Sequence, residues 1–139
     1  LGTCAGLVLL AREVLDPAPG QQSLGLLDVA VRRNAFGAQL HSAEVDLVTT
    51  LGPAHVAFIR APEVVRVGDG VEVLARWSDA VVAVRQGHVT GLAFHPGLTG
   101  DLTFHRALLA PRSDEPGVRS AATGDVALDD PAPTGRSGP

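Results

Sequence analysis

Apolar and polar residues alternate in short runs through the middle of the chain, and this pattern predicts a sheet of many short strands. The predicted strands are residues 26–31, 43–48, 55–59, 71–76, 80–85 and 89–94. Between the last two, Gln86-Gly87-His88 is typical of a hairpin turn.

One helix is predicted at each end of this strand-rich region. The first is the apolar run from Ala5 to Arg12, which ends before the breaker Asp16-Pro17-Ala18-Pro19-Gly20. The second spans residues 98–110 and carries Leu102, Leu108 and Leu109. Helices around short strands predict an α/β domain over residues 1–110. Because only three residues precede Cys4, where a strand is expected, we expect the first βα units of the sheet to be missing from this chain.

The composition changes after this domain. The last 29 residues hold five of the ten prolines and no aromatic residue, so we expect residues 111–139 to form a disordered tail. The net charge of −4 gives no electrostatic case for binding nucleic acid or an anionic membrane. No apolar run approaches the length of a membrane span, no signal peptide is visible, and one cysteine excludes an internal disulfide framework. We therefore expect a cytoplasmic protein.

The only cysteine lies in the segment Gly2-Thr3-Cys4-Ala5-Gly6. G-x-C-x-G is the thiol version of a nucleophile elbow, a sharp strand-to-helix turn that requires small neighbours. The helix that follows points its N-terminus at the sulfur, so we expect the turn to lower the pKa of Cys4. The alternative is that Cys4 is a small buried hydrophobic residue, as free cysteines often are.

A partner base is predicted at His95, which follows the apolar strand 89–94 and precedes Pro96. The carboxyl end of a strand in an α/β sheet lies on the ligand-binding edge, where an elbow nucleophile also lies. A lone histidine at such a position is more often a surface residue with its own partners, and the elbow cysteine in the same domain is what favours the catalytic role.

Several further motifs follow one another along residues 1–110. They are G-T-C-A-G-L at 2–7, G-L-L-D-V at 25–29, R-N-A-F-G-A-Q at 33–39, F-I-R-A-P at 58–62, V-R-Q-G-H at 84–88, and F-H-P at 94–96 with L-T at 98–99. Together they resemble the glutaminase subunit of pyridoxal 5′-phosphate synthase, a class I-type glutamine amidotransferase. The resemblance implies a flavodoxin-like parallel sheet with helices on both faces.

The resemblance also implies a reaction, in which L-glutamine is hydrolysed to glutamate and ammonia through a cysteine thioester. The implied site residues are the nucleophile Cys4, the general acid/base His95, the substrate-binding Arg33, Ile59 and Arg60, and Ala5, whose N–H would stabilise the oxyanion. A structural role for Arg60, which precedes Ala-Pro at a strand end, is an equal alternative. No metal or organic cofactor is implied.

The implied partner is the (β/α)8-barrel synthase subunit, which would use the ammonia to make vitamin B6. Two departures from the family favour a second interpretation. Gly97 stands where the family has a glutamate that orients the histidine, and the family's Gly-Gly-Glu-Ser segment is absent. The alternative is a catalytically impaired or inactive fragment that acts at most as an interaction module for the synthase subunit.

Overall fold

The computed structural model describes residues 1–33 and 43–111, which form a mixed sheet with two short α-helices. The predicted tail therefore lies outside the described residues, apart from Pro111. The elements in chain order are β1 Gly2–Thr3, α1 Ala5–Leu10, β2 Ala11–Val14, β3 Leu27–Arg32, β4 Ala43–Thr49, β5 Gly52–Phe58, β6 Glu63–Val67, β7 Glu72–Trp77, β8 Ala80–Gln86, β9 Val89–Leu92 and α2 Thr103–Leu109, with a 3-10 turn at Pro96–Leu98.

The strands are ordered β2-β3-β6-β8-β7-β4-β5, and β8 also pairs with β9, which in turn pairs with β1. Two pairs are parallel, β1 with β9 and β2 with β3, and the other pairs are antiparallel. The predicted α/β class is confirmed at this level. The flavodoxin-like arrangement with helices on both faces, and the further N-terminal βα units, stay predictions.

The six predicted strands all occur, with ends shifted by up to three residues. Three further strands occur: β1, which is the short strand before the elbow, and β2 and β6, which were not predicted. The first predicted helix is too long, because Ala11–Val14 leaves the helical conformation to pair with β3. The second begins at Thr103 rather than at residue 98, because Pro96–Leu98 forms a 3-10 turn and Asp101 Oδ1 accepts the Thr103 N–H at 2.8 Å.

The aromatic side chains join the strand ends that matter for the site. Phe58 at the end of β5 packs on Phe94 with ring centroids 5.5 Å apart, and Phe94 packs on Phe104 of α2 at 5.3 Å. Phe58 also contacts Trp77 of β7. The Phe58–Phe94 and Phe94–Phe104 pairs are edge-to-face, an arrangement that adds about 0.5–1.5 kcal/mol each beyond the buried area. They hold the ends of β5 and β9 side by side, just before Ile59 and His95.

Two glycines let α1 pack closely on the β1–β9 pair. A Cβ on Gly2 would lie 2.6 Å from the backbone of Gly6, and a Cβ on Gly91 would lie 2.6 Å from Leu7 Cδ1. Gly2 and Gly91 are also register partners in the parallel pair. Gly6 differs, since a Cβ there would meet nothing within 4 Å. The elbow therefore requires glycine at position 2 and has room for a side chain at position 6.

Candidate active site

Cys4 occupies a strained turn between β1 and α1. Its φ of 53° and ψ of −107° lie outside the regions that non-glycine residues favour, at a typical cost of about 1–3 kcal/mol. The Cys4 N–H donates to the Leu92 carbonyl at 2.8 Å, which extends the β1–β9 pairing by one bond. The predicted elbow geometry is therefore present, and the strain is held by the pairing on one side and the helix on the other.

The thiol of Cys4 is partly buried and donates to the Ile59 carbonyl, with Sγ and O separated by 3.5 Å. Burial raises the pKa of Cys4, and the Ala5 backbone N–H lowers it by less. The expectation that this turn lowers the pKa of Cys4 is therefore wrong for the isolated chain. The physical reason is desolvation, which the hydrogen bond from the Ala5 N–H does not offset.

A pocket of about 450 Å³ opens beside the thiol. Its lining includes Cys4, Ala5, Arg33 and Arg60, four of the six predicted site residues. Arg60 has a φ of 46°, so a second residue of this lining has a strained backbone. Ile59 contributes its backbone carbonyl, and its side chain is 37% exposed. The structure thus brings five of the six residues to one place.

One wall of this pocket was not predicted. It is formed by Ala18, Pro19, Gly20 and Gln21, which the sequence indicates only as a breaker. The Gln21 side chain accepts the Ala18 N–H at 2.9 Å, and the Gln21 N–H donates to the Ala18 carbonyl. The Pro-Ala-Pro-Gly composition signals a turn, and only the fold shows that this turn faces the cysteine.

His95 lies at the same sheet edge, outside the cysteine pocket. Because β1 and β9 are parallel neighbours, Cys4, which directly follows β1, and His95, three residues after β9, lie beyond the same end of the two strands. The backbone of His95 is bridged to Ala57, two residues before Ile59. Its imidazole lines a separate open pocket of about 200 Å³ and makes no hydrogen bond to any of the residues described. The structure places the predicted base close to the cysteine along the edge without joining the two side chains.

The residue that follows Pro96 is Gly97, which has no side chain. Gly97 is exposed, and a Cβ there would meet nothing within 4 Å. The nearest acid downstream, Asp101, is already engaged by the backbone N–H groups of His55 at 2.9 Å and Thr103 at 2.8 Å. Partial burial opposes the charge of Asp101, but these donors outweigh it and lower the pKa of the carboxyl. The Asp101 carboxylate is therefore occupied by two backbone N–H groups. It does not substitute for the glutamate that the resemblance implies at position 97.

In residues 1–33 and 43–111 no three His, Cys, Asp or Glu side chains come together as a metal site. No helix in the same ranges is long and apolar enough to cross a bilayer.

The fold and the site define a class: an α/β protein with an elbow cysteine at the carboxyl edge of a sheet, facing two arginines. The sequence model of the SNO glutamine amidotransferase family matches residues 1–110. The chain therefore belongs to the SNO glutamine amidotransferase family, and the resemblance seen in its motifs is confirmed.

Curated relatives carry the name pyridoxal 5′-phosphate synthase subunit PdxT. The protein from Parafrankia sp. (strain EAN1pec) is 54% identical over 121 residues, which are 85% of this chain and 60% of that protein. The protein from Thermus thermophilus is 58% identical over 109 residues, 78% of this chain and 56% of that protein. A crystal structure described as a glutamine amidotransferase matches with a TM-score of 0.72 and 52% identity, covering 78% of this chain and 57% of that one. The chain spans little more than half the length of the relatives it matches.

Proposed function

We propose that this chain carries the nucleophile half of a glutaminase site that hydrolyses L-glutamine to glutamate and ammonia for pyridoxal 5′-phosphate synthesis. The observation that carries the proposal is the pocket of about 450 Å³ in which Cys4, Arg33 and Arg60 converge. A guanidinium pairs well with the α-carboxylate of an amino acid, which leaves the side-chain amide to reach the thiol. Membership of the amidotransferase family supports the same assignment.

The proposed chemistry begins when the Cys4 sulfur, as thiolate, attacks the side-chain amide carbon of glutamine. The new C–S bond produces a tetrahedral oxyanion, which the Ala5 N–H would stabilise. His95 takes the thiol proton and delivers it to the amide nitrogen, so that the C–N bond breaks and ammonia leaves. Water, deprotonated by His95, then attacks the thioester and releases glutamate and the free thiol.

The raised pKa of Cys4 sets a requirement for this reaction. With burial favouring the neutral thiol, the first step needs a base that removes the proton as the substrate binds. His95 is the proposed base, because it leaves the same sheet edge from the neighbouring strand. Glutamine that displaces the Ile59 carbonyl from the sulfur would also free the thiol for this transfer.

The proposed partner is the (β/α)8-barrel synthase subunit, which would receive the ammonia. This part of the proposal rests on the relatives, whose printed name is synthase subunit PdxT, and on the match over residues 1–110.

The test is glutamate formation from L-glutamine, measured with the chain alone and with the synthase subunit added. We expect turnover that is abolished by Cys4→Ala and reduced about 100-fold by His95→Gln, the loss typical of a general acid–base residue. The matched control is His88→Gln, which changes an exposed histidine of the β8–β9 turn and should leave turnover unchanged. Equal turnover in the wild type and in Cys4→Ala would overturn the proposal.

A second candidate function is an interaction module with little or no catalysis. It is favoured by the empty position at Gly97 and by the His95 imidazole, which no described side chain orients. The same experiment separates the two candidates when binding to the synthase subunit is measured alongside turnover. Binding without glutamate formation under any condition supports the module, and turnover that depends on Cys4 supports the enzyme.

A further inference from the structure

A second pocket, of about 200 Å³, lies beside the cysteine pocket and contains two histidines. Its lining consists of Thr3, His95, Pro96, Gly97, Leu98 and His105. The two imidazoles come from different elements, since His95 follows β9 and His105 belongs to α2. The proposed glutaminase reaction uses only one of them and leaves His105 without a role.

The tautomer of the neutral His105 ring follows from its surroundings. Its Nδ1 is buried and has no hydrogen-bond partner among the described residues. A buried N–H without an acceptor is rarer and more costly than a buried acceptor without a donor. The proton of the neutral ring therefore belongs on Nε2, where it is a donor that needs an acceptor.

The remaining lining favours a small anion with an apolar part. None of the six lining residues is acidic, so a carboxylate placed there meets no like charge at contact distance. Pro96 and Leu98 offer apolar surface, and Gly97 adds no side chain to the lining. The hydroxyl of Thr3 provides a further donor.

We propose that this pocket binds a small monocarboxylate such as acetate, one oxygen accepting from the His105 imidazole and the other from the His95 imidazole. The methyl group packs against Pro96 and Leu98. A carboxylate held in this way orients the His95 ring and stabilises its protonated form. The binding of acetate does not rest on the proposed function. Only the value of an oriented His95 for glutamine hydrolysis does.

The test is a titration of the full chain with sodium acetate, against sodium chloride at equal ionic strength, followed by NMR of the histidine side-chain nitrogens. We expect saturable shifts at His95 and His105 with millimolar acetate and none at His88, which lies exposed in a distant turn. His105→Phe keeps a planar ring and removes the donor, so acetate should bind about tenfold more weakly. Gly97→Glu supplies an internal carboxylate and should abolish the acetate response.

Three results would overturn the proposal: shifts that grow linearly with acetate, an equal response to chloride, or saturable binding unaffected by both substitutions. Sulfate provides a further arm, because equal binding of sulfate would show a general anion site rather than a carboxylate site. If His105→Phe does not fold, the Gly97→Glu variant and the sulfate titration still test whether the pocket binds a carboxylate. Acetate binding without any glutamine turnover would count against the proposed function and leave this site in place.

Discussion

The turn that carries Cys4 and the turn that carries His95 end neighbouring parallel strands, yet they are held differently. Cys4 is fixed by a strained backbone, a 2.8 Å bond from its N–H to Leu92 and a thiol contact with Ile59. His95 is anchored through its backbone to Ala57, and its imidazole faces an open pocket.

The difference shows that position and orientation are determined separately. A strained turn between a strand and a helix places a nucleophile through backbone geometry alone, so its neighbours need only be small. A general base must also present one ring nitrogen in one direction, and this requires a side chain or ligand that hydrogen-bonds the other nitrogen. The turn formed by residues 2–6 places Cys4. No side chain at Gly97 orients the ring of His95.

The largest effect should come from filling the space behind the cysteine turn. Gly2→Ala places a Cβ within 2.6 Å of the Gly6 backbone, which has no flexible end that can move aside. We expect the free energy of unfolding to fall by about 2 kcal/mol or more, measured by urea denaturation. Gly6→Ala is the matched control, since its Cβ meets nothing and alanine favours the helix, so stability should stay equal or rise. Equal losses in both variants would show that the turn is not tightly packed.

The next effect concerns the orientation of His95. Gly97→Glu adds a carboxylate where the structure has room, and we expect Cys4 to react with a glutamine-analogue electrophile about tenfold faster. The control is Leu102→Glu, which adds the same charge at an exposed position before α2. The same acceleration in Leu102→Glu, or none in Gly97→Glu, would contradict the account of an unoriented base.

A smaller effect on stability should distinguish two roles of Arg60, a strained backbone position and a ligand for L-glutamine. Arg60→Gly relieves a φ of 46°, so the free energy of unfolding should rise by about 0.5–1 kcal/mol. Ser78→Gly is the control, because it relieves a φ of 51° in the turn between β7 and β8, away from the pocket. Both variants should be stabilised, and only Arg60→Gly should lose protection of Cys4 by L-glutamine. Unchanged protection in Arg60→Gly would assign Arg60 a structural role.

The smallest effect tests the loop that follows His95. The Asp101 carboxylate accepts N–H groups from His55 and Thr103, and these lower its pKa in the folded state. Its contribution to stability is therefore present above the unfolded pKa, about 3.9, and is lost as the pH falls through the folded pKa. We expect Asp101→Asn to cost about 0.5 kcal/mol at pH 7, with the difference from wild type shrinking as the pH falls through the folded pKa of Asp101. Asp69→Asn, at an exposed position in the β6–β7 turn, is the control. A difference that persists at low pH would contradict the role of the charge.

Local patterns predicted much of this molecule. Short runs of β-type apolar residues identified six strands, and two glycines around Cys4 indicated the elbow, because both signals arise from neighbouring residues. β2 was missed because Ala11–Val14 directly continues an apolar helical run, and only its pairing with β3 makes it a strand. β6 was missed because it is a short strand that alternates weakly.

The site was predicted in part for a similar reason. The motifs located Cys4, Arg33 and Arg60, which share one pocket in the structure. The sign of the Cys4 pKa shift was not predicted, because burial of the thiol depends on residues distant in sequence, including Ile59. The wall formed by Ala18–Gln21 and the second histidine pocket were missed for the same reason, since both depend on how distant segments pack.

The central claim is that Cys4 is a nucleophile in a site that recognises L-glutamine. The most direct measurement is intact-mass analysis of the native chain after treatment with a diazoketone analogue of L-glutamine, with and without competing amino acids. Because Cys4 is the only cysteine, one adduct that is absent in Cys4→Ser identifies the reacting group. We predict a single adduct that excess L-glutamine prevents and D-glutamine does not. A native chain that stays unlabelled, while its thiol alkylates freely after denaturation, would contradict the account.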